Sequence, residues 1–305
     1  MAPVLGLCAL LAADAVLIAW ALRGTPIDDP GPAAGSGSVT STASPWGSRT
    51  PSTSSTTASA LKPAPVEQMI TAVGPSIAWV VQAGSCDEPG TVRVTDDTGA
   101  SWSSQEAPGR VMRVRPSSAA AAFVTGGDAK CDLRLWSTGN AGRAWTEPQP
   151  ATEAWSRVPD DAKAVHTPAA AVKRPCGSFR VVDLVALTAQ RASTVCENGD
   201  VRTTTNGGTA WPRTFTLKGA LAIAVVEGGA GVVVRSVSAC RGVVAVPLRG
   251  GRPDGDGTCV SGDAKAGQVS VSGAADAWWL VVGDRVHTAE QPDGPWTPTG
   301  SALTG

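Results

Sequence analysis

Three copies of one eight-residue pattern constrain the fold of this chain more than any other feature. The pattern is Thr-x-Asp/Asn-x-Gly-x-x-Trp, and it occurs at 95–102, 138–145 and 204–211. The hydroxyl and the carboxylate or amide can bond backbone N–H groups within a tight turn, and glycine adopts a positive φ without steric cost. Tryptophan can fold back over such a turn and bury a large, rigid face. Each copy therefore predicts a hairpin turn. The patterned residues are Thr95, Asp97, Gly99, Trp102, Thr138, Asn140, Gly142, Trp145, Thr204, Asn206, Gly208 and Trp211.

The spacing of the copies predicts a repeated structural unit. The first two tryptophans are 43 residues apart and the next interval is 66, so about 23 extra residues fall near 154–175. A weaker fourth copy at 291–296 ends in Trp296, close to two further units of 43. Without the extra residues, 67–305 holds 216 residues. That length corresponds to five units.

The pattern resembles the Asp box of BNR-repeat proteins, a family that includes sialidase-like β-propellers. The resemblance implies an all-β fold, a β-propeller, in which each Asp box joins the third and fourth strands of a blade. Together with the spacing, it leads us to expect five blades over 67–305. A two-sheet sandwich is the alternative fold, but it does not account for a shared pitch of 43 residues.

The chain divides by composition into three parts. Residues 3–22 are apolar and just long enough to cross a bilayer, although Asp14 lies at their centre. Ala19-Trp20-Ala21 also fits a signal-peptidase site, so residues 1–23 are either a transmembrane anchor or a cleaved signal peptide. Residues 24–66 are rich in Pro, Gly, Ser and Thr and are expected to form a disordered linker. Either interpretation of 1–23 places the propeller, 67–305, outside the cytoplasm, as a single-pass membrane protein or a secreted one.

Six cysteines in the globular part support export. An even number in an exported domain predicts three disulfides, for which sequence alone leaves fifteen pairings open. Their places in the repeat lead us to expect Cys176–Cys196 and Cys240–Cys259 within single blades and Cys86–Cys131 between neighbouring blades. No CxxC or Cys/His cluster is present, so we predict neither a metal nor another cofactor.

The residue types present limit the catalytic mechanisms that are open to this chain. The resemblance implies a Tyr nucleophile for sialidase chemistry, and this chain contains no Tyr, so a Tyr-dependent sialidase is excluded. A divergent carbohydrate-active hydrolase would need paired carboxylates, for which Asp183, Asp276 and Glu227 are the candidates. The alternative role for such carboxylates is structural, at strand ends near the channel.

A binding role is the function that we favour from the sequence. The net charge is −1 and no basic run exists, which argues against nucleic acid. We expect a monomeric binding or assembly module for a cell-surface protein, peptide or glycan, with the membrane reached only through the N-terminal segment. Trp155, His166 and Arg174, in the extra segment near 154–175, are the candidate ligand contacts. The expected binding face is the one with the cysteine loops, because Asp-box turns use their polar groups on their own backbone.

Overall fold

The computed structural model describes residues 60–274 and 276–303. The predicted anchor or signal segment, 1–23, and nearly all of the linker lie outside these residues. Within them, no helix is long and apolar enough to cross a membrane. The described chain forms 24 β-strands, in six antiparallel sheets, and a short 3₁₀ turn at Glu227–Gly229.

The six sheets follow one another along the chain, and each is built from one continuous segment. The first three sheets contain β1 (Gln68–Ala72), β2 (Ala78–Gln82), β3 (Thr91–Thr95) and β4 (Ser103–Glu106); β5 (Arg110–Pro116), β6 (Ala122–Gly127), β7 (Leu133–Thr138) and β8 (Gln149–Pro150); and β9 (Ser156–Arg157), β10 (Val165–His166) and β11 (Val172–Lys173). The last three contain β12 (Val181–Ala186), β13 (Ala192–Cys196), β14 (Asp200–Thr204) and β15 (Arg213–Thr216); β16 (Ala220–Val225), β17 (Gly231–Arg235), β18 (Gly242–Arg249), β19 (Arg252–Pro253) and β20 (Thr258–Ser261); and β21 (Val269–Ala274), β22 (Ala277–Val282), β23 (Arg285–Ala289) and β24 (Thr297–Pro298).

The fold is an all-β propeller, as predicted, but the expectation of five blades is wrong, because the structure has six. The segment near 154–175, which we interpreted as an insertion, is the third blade. Its three strands contain only two residues each. Strands this short carry no alternation of apolar and polar residues that a sequence pattern could reveal.

The first strand of the third blade, β9, runs antiparallel to the first strands of its neighbours, β5 and β12. At one end of β9, Trp155 Nε1 donates to Thr188 O at 3.0 Å, in the turn that follows β12. At the other end, Pro159 O accepts a bond of 2.7 Å from Nη1 of Arg110, where β5 begins. Because β9 therefore starts where β5 and β12 end, this blade has no counterpart of the first strand found in the other five.

Strand direction separates the turns into two faces. We call one the repeat-turn face: it holds the turns between first and second strands and between third and fourth strands, including 96–101, 139–144 and 205–210. We call the other the Cys-loop face: it holds the loops between second and third strands, with Cys86, Cys131 and Cys240, and the connections between blades.

The three repeats form the hairpin turns that the sequence predicted. In each, the threonine Oγ1 accepts from the glycine N–H, at 2.9, 3.1 and 3.0 Å. In each, the Asp or Asn Oδ1 accepts a second backbone N–H, at 2.9, 2.9 and 3.0 Å. The turns join β3 to β4, β7 to β8 and β14 to β15.

The repeat tryptophans connect neighbouring blades rather than covering only their own hairpins. Trp145 Nε1 donates to Glu106 O, in the first blade, at 3.1 Å. Trp102 lies edge-on to Trp279 of the sixth blade, with ring centroids 6.5 Å apart. Trp211 lies edge-on to Trp155, beside the third blade, at 5.7 Å. Each indole therefore packs against the preceding blade of the ring.

The ring closes without exchange of a strand. Trp279 Nε1 of the sixth blade donates to Gly74 O of the first blade at 3.0 Å. Leu303, beyond the last strand, is buried with Ile70 and Val80 of the first blade. Burial of apolar side chains at this junction replaces the shared strand that would otherwise close the ring.

The three disulfide pairs are those expected from the repeat. Cys86 pairs with Cys131, between the first two blades, and Cys240 pairs with Cys259 within the fifth. Cys176, in the connection after β11, pairs with Cys196 at the end of β13, so this bond joins the connection after the third blade to the fourth blade and does not lie within a single blade as expected. The prediction of disulfide bonds is confirmed.

Candidate functional site

A central cavity of about 390 Å³ lies on the propeller axis. In each sheet, the strand that comes first in the chain contributes to the cavity wall, so all six blades line the cavity. These strands are β1, β5, β9, β12, β16 and β21. Its wall mixes polar and apolar side chains, and a pre-formed concave pocket of this size is a common kind of ligand site.

Side chains on the wall form hydrogen bonds with backbone N–H and C=O groups at the open edges of the inner strands. Ser270 Oγ accepts the Ile70 N–H at 3.0 Å, and Ser272 Oγ accepts the Ala72 N–H at 2.9 Å. Thr71 Oγ1 donates to the Val114 carbonyl at 3.3 Å. An unpaired strand edge would leave buried backbone groups without partners. Many polar groups on the wall are therefore structural.

Among the described residues, Asp183 is one of two carboxylates on the cavity wall. Its Oδ2 accepts the Ile223 N–H of the next blade at 2.9 Å, and its Oδ1 accepts the Leu184 N–H at 2.8 Å. Burial raises the pKa of Asp183, while these two bonds and the charges of Arg157 and Arg113 offset part of the rise. Each oxygen thus holds one backbone donor, and the carboxylate links the fourth blade to the fifth.

Two arginines on the cavity wall, Arg113 and Arg157, carry the charge opposite to that of Asp183. Arg113 reaches over the short third blade, donating to Trp155 O at 3.3 Å and to Ala186 O at 3.1 Å. Arg157, only 6% exposed, donates to Val66 O. Burial lowers the pKa of each guanidinium to about 10, so both remain charged at neutral pH. The inner part of the cavity therefore carries a net positive charge.

Residues 61–67, which we call the strap, close the cavity on the Cys-loop face. The Leu61 N–H donates to Ser236 Oγ at 2.8 Å, and the Val66 N–H donates to Val182 O at 2.8 Å. Arg157 also lines a second cavity, of about 330 Å³, beneath strap residues 64–67. The strap thus crosses the axis from the fifth blade to the fourth before β1 begins.

The opposite end of the cavity reaches the repeat-turn face. Its wall includes Pro116, Leu187 and Glu227, which lie at or beyond the ends of inner strands on that face. Access to the axial cavity is therefore from the repeat-turn face, and not from the face that the sequence analysis favoured.

The three candidate catalytic carboxylates are not brought together. Asp183 and Glu227 both line the cavity, but Glu227 lies in the turn after β16, four residues beyond Ile223. Asp183 bonds the Ile223 N–H, and the three residues of extended strand from Ile223 to the turn cover roughly 10 Å. That distance separates the turn of Glu227 from Asp183. Asp276 is exposed in the turn before β22 and does not line the cavity.

Of the three candidate ligand contacts, Trp155 and His166 lie at the same end of the third blade, because His166 pairs with Ser156, whereas Arg174 lies apart. Trp155 is 4% exposed and belongs to the packing between blades, with its indole N–H bonded to Thr188 O. His166 Nδ1 lies 3.0 Å from Ala154 O. Arg174 lies towards the opposite end of the blade, in an exposed ion pair of 2.8 Å with Asp161.

Metal binding receives no support in the part of the chain that the structure describes. No group of three or more His, Cys, Asp or Glu side chains there could hold an ion. Asp254 and Asp256 are exposed in the turn between β19 and β20, and Asp254 pairs with Arg249 at 2.6 Å.

Sequence reasoning missed the arginines of the cavity and the strap. Arg113 and Arg157 stand in short or irregular segments with no motif around them. Their shared position follows only from closure of the ring. The signal available in the sequence was weak: an arginine within the otherwise apolar run 111–114, VMRV, is unusual for a buried strand.

Comparisons with known proteins extend to the fold and no further. No protein-family model and no curated protein matches the sequence. Similar solved structures include YCF48 bound to a D1 peptide, with 16% identity, 78% of this chain and 68% of that chain covered, and a TM-score of 0.29. A GH74 xyloglucanase from Xanthomonas campestris has 10% identity, coverage of 78% and 38%, and a TM-score of 0.29. PorZ, a surface component of the type-IX secretion system of Porphyromonas gingivalis, has 10% identity, coverage of 79% and 39%, and a TM-score of 0.39.

The chain thus spans less than two fifths of the xyloglucanase and of PorZ. Identities of 10–16% and TM-scores below 0.5 carry no functional information for this chain. The resemblance drawn from the three repeats is confirmed as a propeller fold, while membership of a BNR or Asp-box family is not shown.

Proposed function

We propose that this propeller is a non-catalytic binding module outside the cytoplasm, and that its partner docks at the mouth of the axial cavity on the repeat-turn face. The observation that carries the proposal is the one-ended cavity, which six blades line and the strap closes from below. A rigid ring with a pre-formed axial pocket is pre-organised, and pre-organisation reduces the entropy lost on binding.

The location outside the cytoplasm rests on cysteine chemistry and on the apolar N-terminal sequence. Six cysteines of the described chain form three disulfides, and such bonds persist in oxidising compartments. The strap enters the propeller on the Cys-loop face.

A face-blocking experiment tests this proposal. In a Cys8→Ser background, a single cysteine replaces Gln190, exposed on the repeat-turn face, or Lys265, exposed in the connection on the Cys-loop face. Each full-length variant is coupled to a polyethylene glycol maleimide, and its binding to envelopes of the native host is measured by sedimentation. We expect loss of binding for the Gln190→Cys conjugate and retention for the Lys265→Cys conjugate. The reverse pattern would place the binding surface on the other face.

The hydrolase alternative has one observation in its favour, the raised pKa of Asp183, since buried carboxyl groups with a raised pKa can act as general acids. Against it stand the two backbone donors that occupy both oxygens of this carboxylate. A panel of chromogenic glycosides separates the two functions. Turnover by the wild-type chain that Asp183→Asn abolishes would establish the hydrolase.

A further inference from the structure

The second blade has one covered face and one that is largely open. Val114, Val124 and Trp136 are register partners across β5, β6 and β7, and they are buried in the cluster shared with the first blade. Successive side chains of a strand point to opposite faces. The adjacent row of register partners, Arg115, Phe123 and Ser137, therefore faces the third blade. We call these three residues the second-blade row.

The third blade is too small to cover this row. Phe123 is 52% exposed, although its strand neighbours Ala122 and Val124 are 2% and 0% exposed. The row lies near the repeat-turn face. The third blade, with strands of only two residues, does not extend far enough to cover it there. An aromatic ring exposed within a regular strand presents apolar area that a partner can bury.

The row continues into the axial cavity. Arg115 is exposed, lines the cavity, and makes no ion pair within the described residues. Arg113 and Arg157 add positive charge on the same wall, whereas the lining carboxylates, Asp183 and Glu227, belong to the fourth and fifth blades. The side of the mouth formed by the second and third blades therefore favours an anionic group.

We infer that the second-blade row binds an extended segment of a partner protein, in which an apolar side chain packs on Phe123 and a neighbouring carboxylate bonds Arg115. This inference rests on the proposed function and specifies the chemistry of the partner. Aromatic residues and arginine are the types that dominate binding energy at protein interfaces. A bond between guanidinium and carboxylate is charge-assisted and can be bidentate, which fixes the orientation of the segment.

The test uses the full-length chain and a phage-displayed library of random peptides. We expect the selected peptides to share an apolar residue beside Asp or Glu. Phe123→Ser and Arg115→Glu should each weaken the binding of a synthetic selected peptide by about tenfold or more, a loss expected for an interface hot spot. Two matched controls should change affinity by less than about twofold. They are Phe179→Ser, a phenyl group 44% exposed in the connection before β12, and Arg143→Glu, an exposed arginine in the repeat turn of the second blade.

A double-mutant cycle tests the ion pair itself. Replacing the acidic residue of the peptide by its amide should weaken binding to the wild-type chain, but change the affinity for Arg115→Ala little, because that variant has already lost the ion pair. Selected peptides without an acidic residue, or equal affinity for the wild type and both row variants, would overturn the inference. So would sedimentation showing a self-associated chain that Phe123→Ser dissociates, because the row would then join two copies.

The two proposals fail separately. If the peptides bind and a polymer at Gln190→Cys blocks them, but the row variants do not, the row is not the contact and the proposed function stands. If the polymer at Lys265→Cys is the one that blocks binding, the proposed function fails as well.

Discussion

At the scale of single residues, Trp155 shows how position in the ring decides a role that residue type leaves open. A tryptophan in a predicted loop suggested a stacking platform, but the side chain packs edge-on against Trp211 and bonds Thr188 O. It lies within contact distance of the space that a Cβ on Gly208 would occupy, which explains why the glycine of that turn has no room for a side chain. Trp155 thus links the third blade to the repeat turn of the fourth.

Replacing Trp155 by Ala should lower the free energy of unfolding by about 3–5 kcal/mol, the usual cost of truncating a buried aromatic side chain. Trp145→Ala is the matched comparison, because Trp145 is only half-buried, and it should cost about 2 kcal/mol. Urea unfolding of the full-length chain measures both. A wild-type midpoint for Trp155→Ala would show that this side chain is not part of the core.

His287 makes the protein sensitive to mild acid. The residue is 6% exposed, and neither ring nitrogen has a hydrogen-bond partner in the described structure. Burial, aided by the charge of Arg285, lowers the pKa of His287, so the folded state resists protonation. The unfolded chain takes up that proton near pH ~6.5, and the free energy of unfolding therefore falls as the pH drops below that value.

His287→Leu should remove this dependence. We expect wild type and variant to differ in the change of unfolding free energy between pH ~7.5 and pH ~5.5, with the larger decrease in the wild type. The comparison cancels other titrating groups. Hydrogen bonds from Ser101 lower the pKa of Asp97 to about 2, so that carboxylate loses its contribution only at much lower pH. Parallel pH profiles for the two proteins would contradict the assignment.

At the scale of elements, the repeat turns and the disulfides were predictable and the third blade was not. A repeat turn depends on side chains within eight residues, so it can be predicted from the sequence alone. The third blade depends on its neighbours: Arg113 spans it, and Trp211 and Cys196 hold its ends. The apolar run 181–187 forms β12, the first strand of its blade, whereas the similar apolar runs 77–81 and 277–282 form second strands. Such a shift by one strand is invisible when only periodicity is measured.

The disulfides differ in what they join. Cys176–Cys196 closes a loop of 20 residues and Cys86–Cys131 one of 45, so the chain-entropy model assigns them about 3 and about 4 kcal/mol. We therefore expect Cys86→Ser/Cys131→Ser to lower the free energy of unfolding by the larger amount. Denaturant unfolding of the two double variants, with non-reducing peptide mapping to confirm the remaining pairs, measures the difference. A larger loss for the Cys176 and Cys196 pair would contradict this order.

At the scale of the whole molecule, function follows from the asymmetry between the two faces. The number of blades fixes the cavity and the strap closes one end of it, yet neither has a local sequence signature. Arg113, Arg157 and Asp183 are separated by 26 to 70 positions in the sequence and meet only because the ring closes. The sequence therefore supports the fold class, the turns and the disulfide pairs, whereas the axial cavity and the strap could be described only from the structure.

Site-specific photo-crosslinking in the native host tests the central claim, that the partner docks at the repeat-turn mouth, most directly. A photoreactive amino acid replaces Glu227 or Gln190, exposed at or near the mouth, or Asp87 or Lys265, exposed on the Cys-loop face. The account predicts a discrete crosslinked product from Glu227 and Gln190 and none from Asp87 and Lys265. Crosslinks from the second pair alone would contradict it.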